Sequence, residues 1–196
     1  YGIIDGSRMT RAYYFKVFGK MYVTEEDKKL LLINRSFDGS ENFNNESEYT
    51  SRLFKKLDFE VTEKKDSTVS YAGKYAFKLD SSNIYTPAIE APYYEITNKD
   101  HAWINISAFI YPTKDGKTNP FSLVVHFTHN GFPYKYITFD SEKMNLEINT
   151  WNKICFNYLT PEVRIASDPI KVYIWHRGKE PIFVDDIQVN VFEKKE

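Results

Sequence analysis

The chain has 196 residues and a near-even balance of 26 Lys plus Arg against 27 Asp plus Glu. No basic stripe marks it for nucleic acid, and no acidic block marks a disordered tail. Aromatic residues are abundant, with 15 Tyr, 15 Phe and 3 Trp, which favours β-structure and either a thick aromatic core or an aromatic binding face. The single cysteine, Cys155, excludes an intrachain disulfide, and a chain of this length buries roughly 70% of its unfolded surface without needing one.

The chain starts at Tyr1 and not at Met, so a processed or truncated product is expected. No apolar run approaches the roughly 18–20 residues of a membrane span. Residues 1–29 read as a helical N-terminal extension. In "GSRMTRAYYFKVFGKMY", Met9, Ala12, Tyr13 and Val17 recur at helical spacing, Ser7 is placed to cap, and Gly19 to stop. Arg8, Arg11, Lys16 and Lys20 make this stretch mildly basic, as a solvated helix face would be.

From residue 30 the period changes to two, and residues 30–196 read as one β domain. "LLLINRSF" is a strand, and strand-like runs recur at "LFKKLDFEV", "GKYAFKLD", "PYYEIT", "AWINISAFIYP", "FSLVVHFT", "YKYITFD", "NKICFNYL", "KVYIWHR" and "IFVDDIQVNVF". Turn formers such as "TKDGKTNP", "HNGFP", "SDP" and "HRGKEP" separate them. About ten strands with no long helix between them predict an antiparallel β-sandwich.

Alternation sorts each strand into two rows. Ile104, Ile106, Ala108 and Ile110 form one core row, and Leu123, Val125 and Phe127 another. Ile154, Phe156 and Tyr158 form a third, with Val172 and Ile174 as a fourth. The opposite rows carry Trp103, Asn105, Ser107, Phe109 and Tyr111, then His126, then Lys153, Cys155 and Asn157, then Tyr173, Trp175 and Arg177. If these strands share a sheet, its outer surface mixes aromatic planes with amide, imidazole and cationic groups. That mixture suits a sugar, whose C–H faces pack on aromatic rings while its hydroxyls need polar partners. The competing reading is that another part of the protein covers this apolar surface.

In the last strand, simple alternation puts Phe183, Asp185, Ile187, Val189 and Val191 on one side. A bare carboxylate there is costly to desolvate, so Asp185 needs a partner. Either it reaches a cation at the sandwich edge, or it accepts backbone N–H groups from a loop.

"LLINRSFDGS", with Asn34, Phe37 and Asp38, is similar to the opening strand of the jelly-roll carbohydrate-binding modules, with Asp in place of their usual Glu. "YAGKYAFKL", at Gly73, Lys74, Ala76, Phe77 and Leu79, resembles the family's Gly-Lys signature, and "FVDDIQV" its closing strand. The resemblance frames residues 30–193 and implies a galactose-binding-like jelly roll. It also implies a structural Ca2+ held by Asp38, a carbonyl at the Lys74 turn and Asp185. Calcium takes six to eight oxygens at about 2.3–2.6 Å, which carboxylates and carbonyls supply.

No catalytic motif stands out. His126 and His129 alternate to opposite faces, there is no nucleophile elbow or zinc-binding helix motif, and Cys155 has no evident base. The expectation is therefore a non-catalytic glycan-binding module of a larger protein, outside the cytoplasm or at a cell surface. Trp103, Tyr173 and Trp175 would stack on sugar rings, while Asn105, His126 and Arg177 would bond hydroxyls. The alternative is a structural or protein-interaction domain of a membrane or cell-envelope protein, with a neighbouring domain as its partner and no sugar ligand.

Overall fold

Residues alternating between core and surface build nearly every element here. The structure is a computed structural model that describes residues 49–60, 65–99, 102–160 and 165–195. The helical extension over 1–29, the strand "LLLINRSF" and Asp38 lie outside the described residues. The strands are β1 (Tyr49–Leu57), β2 (Lys65–Asp66), β3 (Ala76–Leu79), β4 (Ile89–Pro92), β5 (Trp103–Pro112), β6 (Phe121–His129), β7 (Phe132–Asp140), β8 (Asn152–Leu159), β9 (Pro169–His176) and β10 (Ile182–Lys194). No described helix is long and apolar enough to cross a membrane.

The strands form two sheets. A six-stranded sheet runs β2-β3-β10-β5-β8, with β1 also paired to β10, and a four-stranded sheet runs β4-β9-β6-β7. Every pairing described is antiparallel. The core lies between the sheets, and the four core rows read from alternation all face it. Ile104, Ile106, Ala108 and Ile110 meet Leu123, Val125, Phe127, Val172 and Ile174, with Phe156 packed partly against them. Each large aliphatic or aromatic side chain buried in this way contributes roughly 1.5–3 kcal/mol.

Two local readings change. "PYYEIT" does not continue as a strand: β4 ends at Pro92, and Tyr93–Ile96 form one helical turn, α1. Tyr93 and Ile96, three apart, both point inward, which is helical spacing and not alternation. The Tyr93 hydroxyl meets the Thr160 hydroxyl at 2.9 Å, so burial costs it no hydrogen bond. The β6–β7 hairpin turns on Asn130 and Gly131, both at positive φ (49° and 79°), the backbone shape that Asn-Gly pairs favour in two-residue hairpins.

The second change is in β10. Ile182 and Val184 face the core, and so do Ile187, Val189 and Val191. The parity slips between them because the register with β5 shifts between Asp185 and Gln188, and Asp186 takes a φ of 52°. One extra residue in the strand makes a β-bulge. Phe183 and Asp185 therefore lie on the outer side, and the single face predicted for Phe183, Asp185, Ile187, Val189 and Val191 does not exist. The bulge also divides the β10 edge, with β3 pairing Ile182–Val184 and β1 pairing Ile187–Lys194.

Candidate functional site

The sheet order divides the aromatic residues read from the sequence. β5 and β8 are neighbours in the six-stranded sheet, whereas β6 and β9 are neighbours in the other. Trp103 and Asn105 thus lie on one outer face, and His126, Tyr173 and Trp175 on the opposite one. The single six-residue surface expected from the outer rows is not assembled.

On the six-stranded face, register aligns Asn190, Asn105 and Asn157 across β10, β5 and β8. The Asn105 amide donates to Asn157 Oδ1 at 2.6 Å and contacts Cys155 Sγ at 3.0 Å. Cys155 is exposed here and not packed inside. Trp103, beside this row, is only 5% exposed. Towards the other end, Tyr71 stacks on Phe109 with ring centroids 3.4 Å apart, and Trp151 meets Tyr71 and Tyr111 edge-on. Tyr71 is exposed, and Phe109, Tyr111 and Trp151 are half-buried.

The loop carrying Tyr71 explains Asp185. Oδ2 of Asp185 accepts the N–H groups of Tyr71 (3.0 Å) and Ala72 (3.1 Å), and Oδ1 accepts that of Asp186 (2.8 Å). Burial pushes the carboxyl above its ordinary pKa, and these three N–H groups oppose the shift. The other side of the loop wraps Glu60, whose Oε1 accepts from Lys74 N–H (2.7 Å) and Tyr75 N–H (2.9 Å). Those bonds hold the Glu60 carboxyl below its usual range. Gly73, at φ 65°, passes so close that a Cβ would lie 2.3 Å from Glu60 Oε1. The neighbouring Asp186 is ion-paired with Lys56 of β1. Asp185 is thus bonded to the backbone of this loop. Among the described residues no group of three or more His, Cys, Asp or Glu side chains converges on a metal position. Asp38, the other carboxylate of the expected calcium set, lies outside the described residues. Glu60 escaped the sequence reading because its partners are backbone groups that leave no side-chain signature.

The four-stranded face carries a second aromatic surface. His126, Tyr173 and Trp175 all point outward, with Arg177 one residue past the end of β9. Tyr85, not read from the sequence, joins them through a β-bridge to Trp175. Thr86 N–H donates to Ile174 O (3.1 Å), His176 N–H to Ile84 O (2.8 Å), and Ile174 N–H to Thr86 Oγ1 (3.0 Å). These bonds lay residues 84–86 along β9, so Tyr85 is set beside Trp175. The two rings stack at 25° with centroids 6.2 Å apart, and Tyr85 meets Tyr173 edge-on at 5.8 Å. Burial first, then the neighbouring Tyr136 hydroxyl, raises the Tyr173 hydroxyl pKa. Tyr136 meets His126 edge-on at 5.3 Å. Val124 forms a fully buried floor between Tyr173 and Thr138.

Polar groups border these rings. The Arg177 guanidinium lies 5.7 Å from the Trp175 ring and bonds both Glu142 oxygens at 2.9 Å. Ser122 donates to Asp140 at 2.7 Å, and Lys171 pairs with Glu90 at 3.0 Å. His126 sits beside Lys171, and burial first, then that charge, lowers its pKa. The imidazole is therefore neutral near pH 7, and its Nε2 is buried.

No protein-family model and no curated protein sequence matches the chain. Solved structures do match it. Over 70% of this chain, the tandem CBM22-1-CBM22-2 region of Paenibacillus barcinonensis Xyn10C superposes with a TM-score of 0.52 at 17% identity. The fold is that of the jelly-roll carbohydrate-binding modules. The chain spans 50% of that two-module structure. The CBM22-2 xylan-binding domain of the same enzyme aligns over 80% of this chain and 94% of its own length, at 15% identity and a TM-score of 0.46.

Proposed function

We propose that this jelly-roll domain is a non-catalytic module that binds a glycan along the outer face of its four-stranded sheet. The observation that carries the reading is the gathering of two ring groups, Trp175–Tyr85–Tyr173 and Tyr136–His126, on one outer face from β9 to β7. Tyr85 and Tyr136 are about half exposed, so ring faces stand ready for pyranose C–H surfaces. His126 and Arg177 lie on the same surface to bond hydroxyls. Trp103 and Asn105, on the opposite sheet, are not part of this site. A role beside a larger protein, outside the cytoplasm, fits the folds it resembles.

A glycan array on the purified chain, followed by calorimetry on any positive class, tests the proposal. Trp175→Ala and Tyr85→Ala should each weaken binding by about tenfold or more, because stacking rings dominate such sites. Their melting temperatures should stay near that of the parent, since both rings are partly exposed. Unchanged binding in both variants would sink the reading. A blank array would favour the protein-interaction alternative, which the closed packing around Trp103 already suits.

A further inference from the structure

Beyond Trp175, the aromatic surface runs into a cleft of about 470 Å³ lined by Lys114, Asn119, Arg177, Gly178, Lys179 and Glu180 among others. That volume falls in the range of small-ligand sites, roughly 300–1,000 Å³. Arg177 belongs to both places, since it lies over the Trp175 ring and lines the cleft. A chain of sugars lying on the rings would therefore continue into the cleft.

The wall is built and not merely a gap between loops. Asn119, which is 2% exposed, donates to Glu180 O and accepts from Glu180 N–H, each at 3.0 Å. Arg177 N–H bonds Pro120 O at 2.8 Å. Gly178 is pressed against this junction, where a Cβ would lie 1.9 Å from Asn119 Oδ1. Asp115 is turned to its own loop, where Oδ1 accepts Lys117 N–H at 2.8 Å.

The charges in the cleft are unequal. Arg177 is held by Glu142, and also lies 3.5 Å from Asp140. The ion pairs and hydrogen bonds of the described residues leave the ammonium groups of Lys114 and Lys179 uncommitted. They line the cleft with Glu180 as its one carboxylate. Two free ammonium groups on a fixed wall beside a sugar platform select for negative charge on the ligand.

We propose that the Lys114–Lys179 cleft is a subsite for an anionic substituent, a carboxylate or a sulfate, carried by the glycan. This rests on the glycan-binding reading and narrows it to acidic glycans.

The test is calorimetry on the full chain with three probes of equal length: a neutral oligosaccharide, its uronic acid counterpart and a sulfated counterpart. Each is measured at low and high salt, on the parent and on Lys114→Gln/Lys179→Gln. The anionic probes should bind tighter than the neutral one, and the advantage should shrink with salt because exposed charges are screened. The double variant should lose about three- to tenfold in anionic binding, as two exposed charge pairs would supply, and keep neutral binding unchanged. Which anionic probe binds better identifies the substituent. Neutral binding with no anionic advantage, or an anionic advantage that survives the double substitution, overturns the subsite but leaves the glycan module standing. Absence of binding to all three probes overturns both.

Discussion

Trp103 and Trp175 look alike in the sequence, each alternating away from a clear core row. Their surroundings differ. Trp103 is 5% exposed in the six-stranded sheet, whereas Trp175 stacks with Tyr85 and Arg177 on an accessible face. Trp103→Ala should therefore cost about 3–5 kcal/mol of stability, read as a lower urea midpoint, without altering binding at the other sheet. A stability change of a few tenths would show instead that Trp103 is a surface platform. The residue types at the candidate site were legible: His126, Tyr173, Trp175 and Arg177 follow from alternation alone. Tyr85 was not, because it lies outside any alternating run and is placed only by the backbone bonds of Ile84 and Thr86 to β9.

Among the elements, β10 shows how one inserted residue changes what alternation means. The bulge at Asp185 and Asp186 restores apolar residues to the core on both sides of itself, and it turns Asp185 outward to receive the 71–72 loop. The adjacent acids thus have separate tasks, since Asp185 anchors a loop while Asp186 pairs with Lys56 on β1. Asp185→Asn leaves one carbonyl oxygen for N–H groups now shared between two oxygens, and turns an amide NH2 towards at least one donor. The expected loss is about 1–3 kcal/mol, measured by chemical denaturation and equal in calcium or chelator. A loss that appears only when calcium is present would restore the cation reading.

For the whole molecule, the two sheets bury His176 completely and His126 in part. Burial lowers both imidazole pKa values below the ordinary one. An unfolded imidazole titrates near about 6.5, so on acidification the unfolded chain takes up protons before the folded chain does. Stability should be fully present above that pH and fall as pH drops through the lowered folded values. Asp185 has the opposite sign, because its raised pKa contributes stability that is fully present below the ordinary carboxylate value and is lost as pH rises through the raised one. Melting temperature should thus decline as pH falls below about 6.5, with a shallower slope in His176→Leu. An unchanged slope in that variant would show that His176 is already solvated.

Most of the strands, four of their inward rows and the antiparallel β-sandwich class were legible in the sequence alone, because period-two alternation and turn residues are local properties that survive without knowing any partner. The jelly-roll class came from the resemblance carried by the Gly73–Leu79 and Phe183–Val189 stretches. Only the tertiary structure decided which outer rows share a face. The same alternation is satisfied whichever strands hydrogen-bond, so nothing local could tell that β5 and β8 join one sheet while β6 and β9 join the other. The pairing put Trp103 and Trp175 on opposite sides of the sandwich, brought Tyr85 to Trp175, and opened the Lys114–Lys179 cleft beside them.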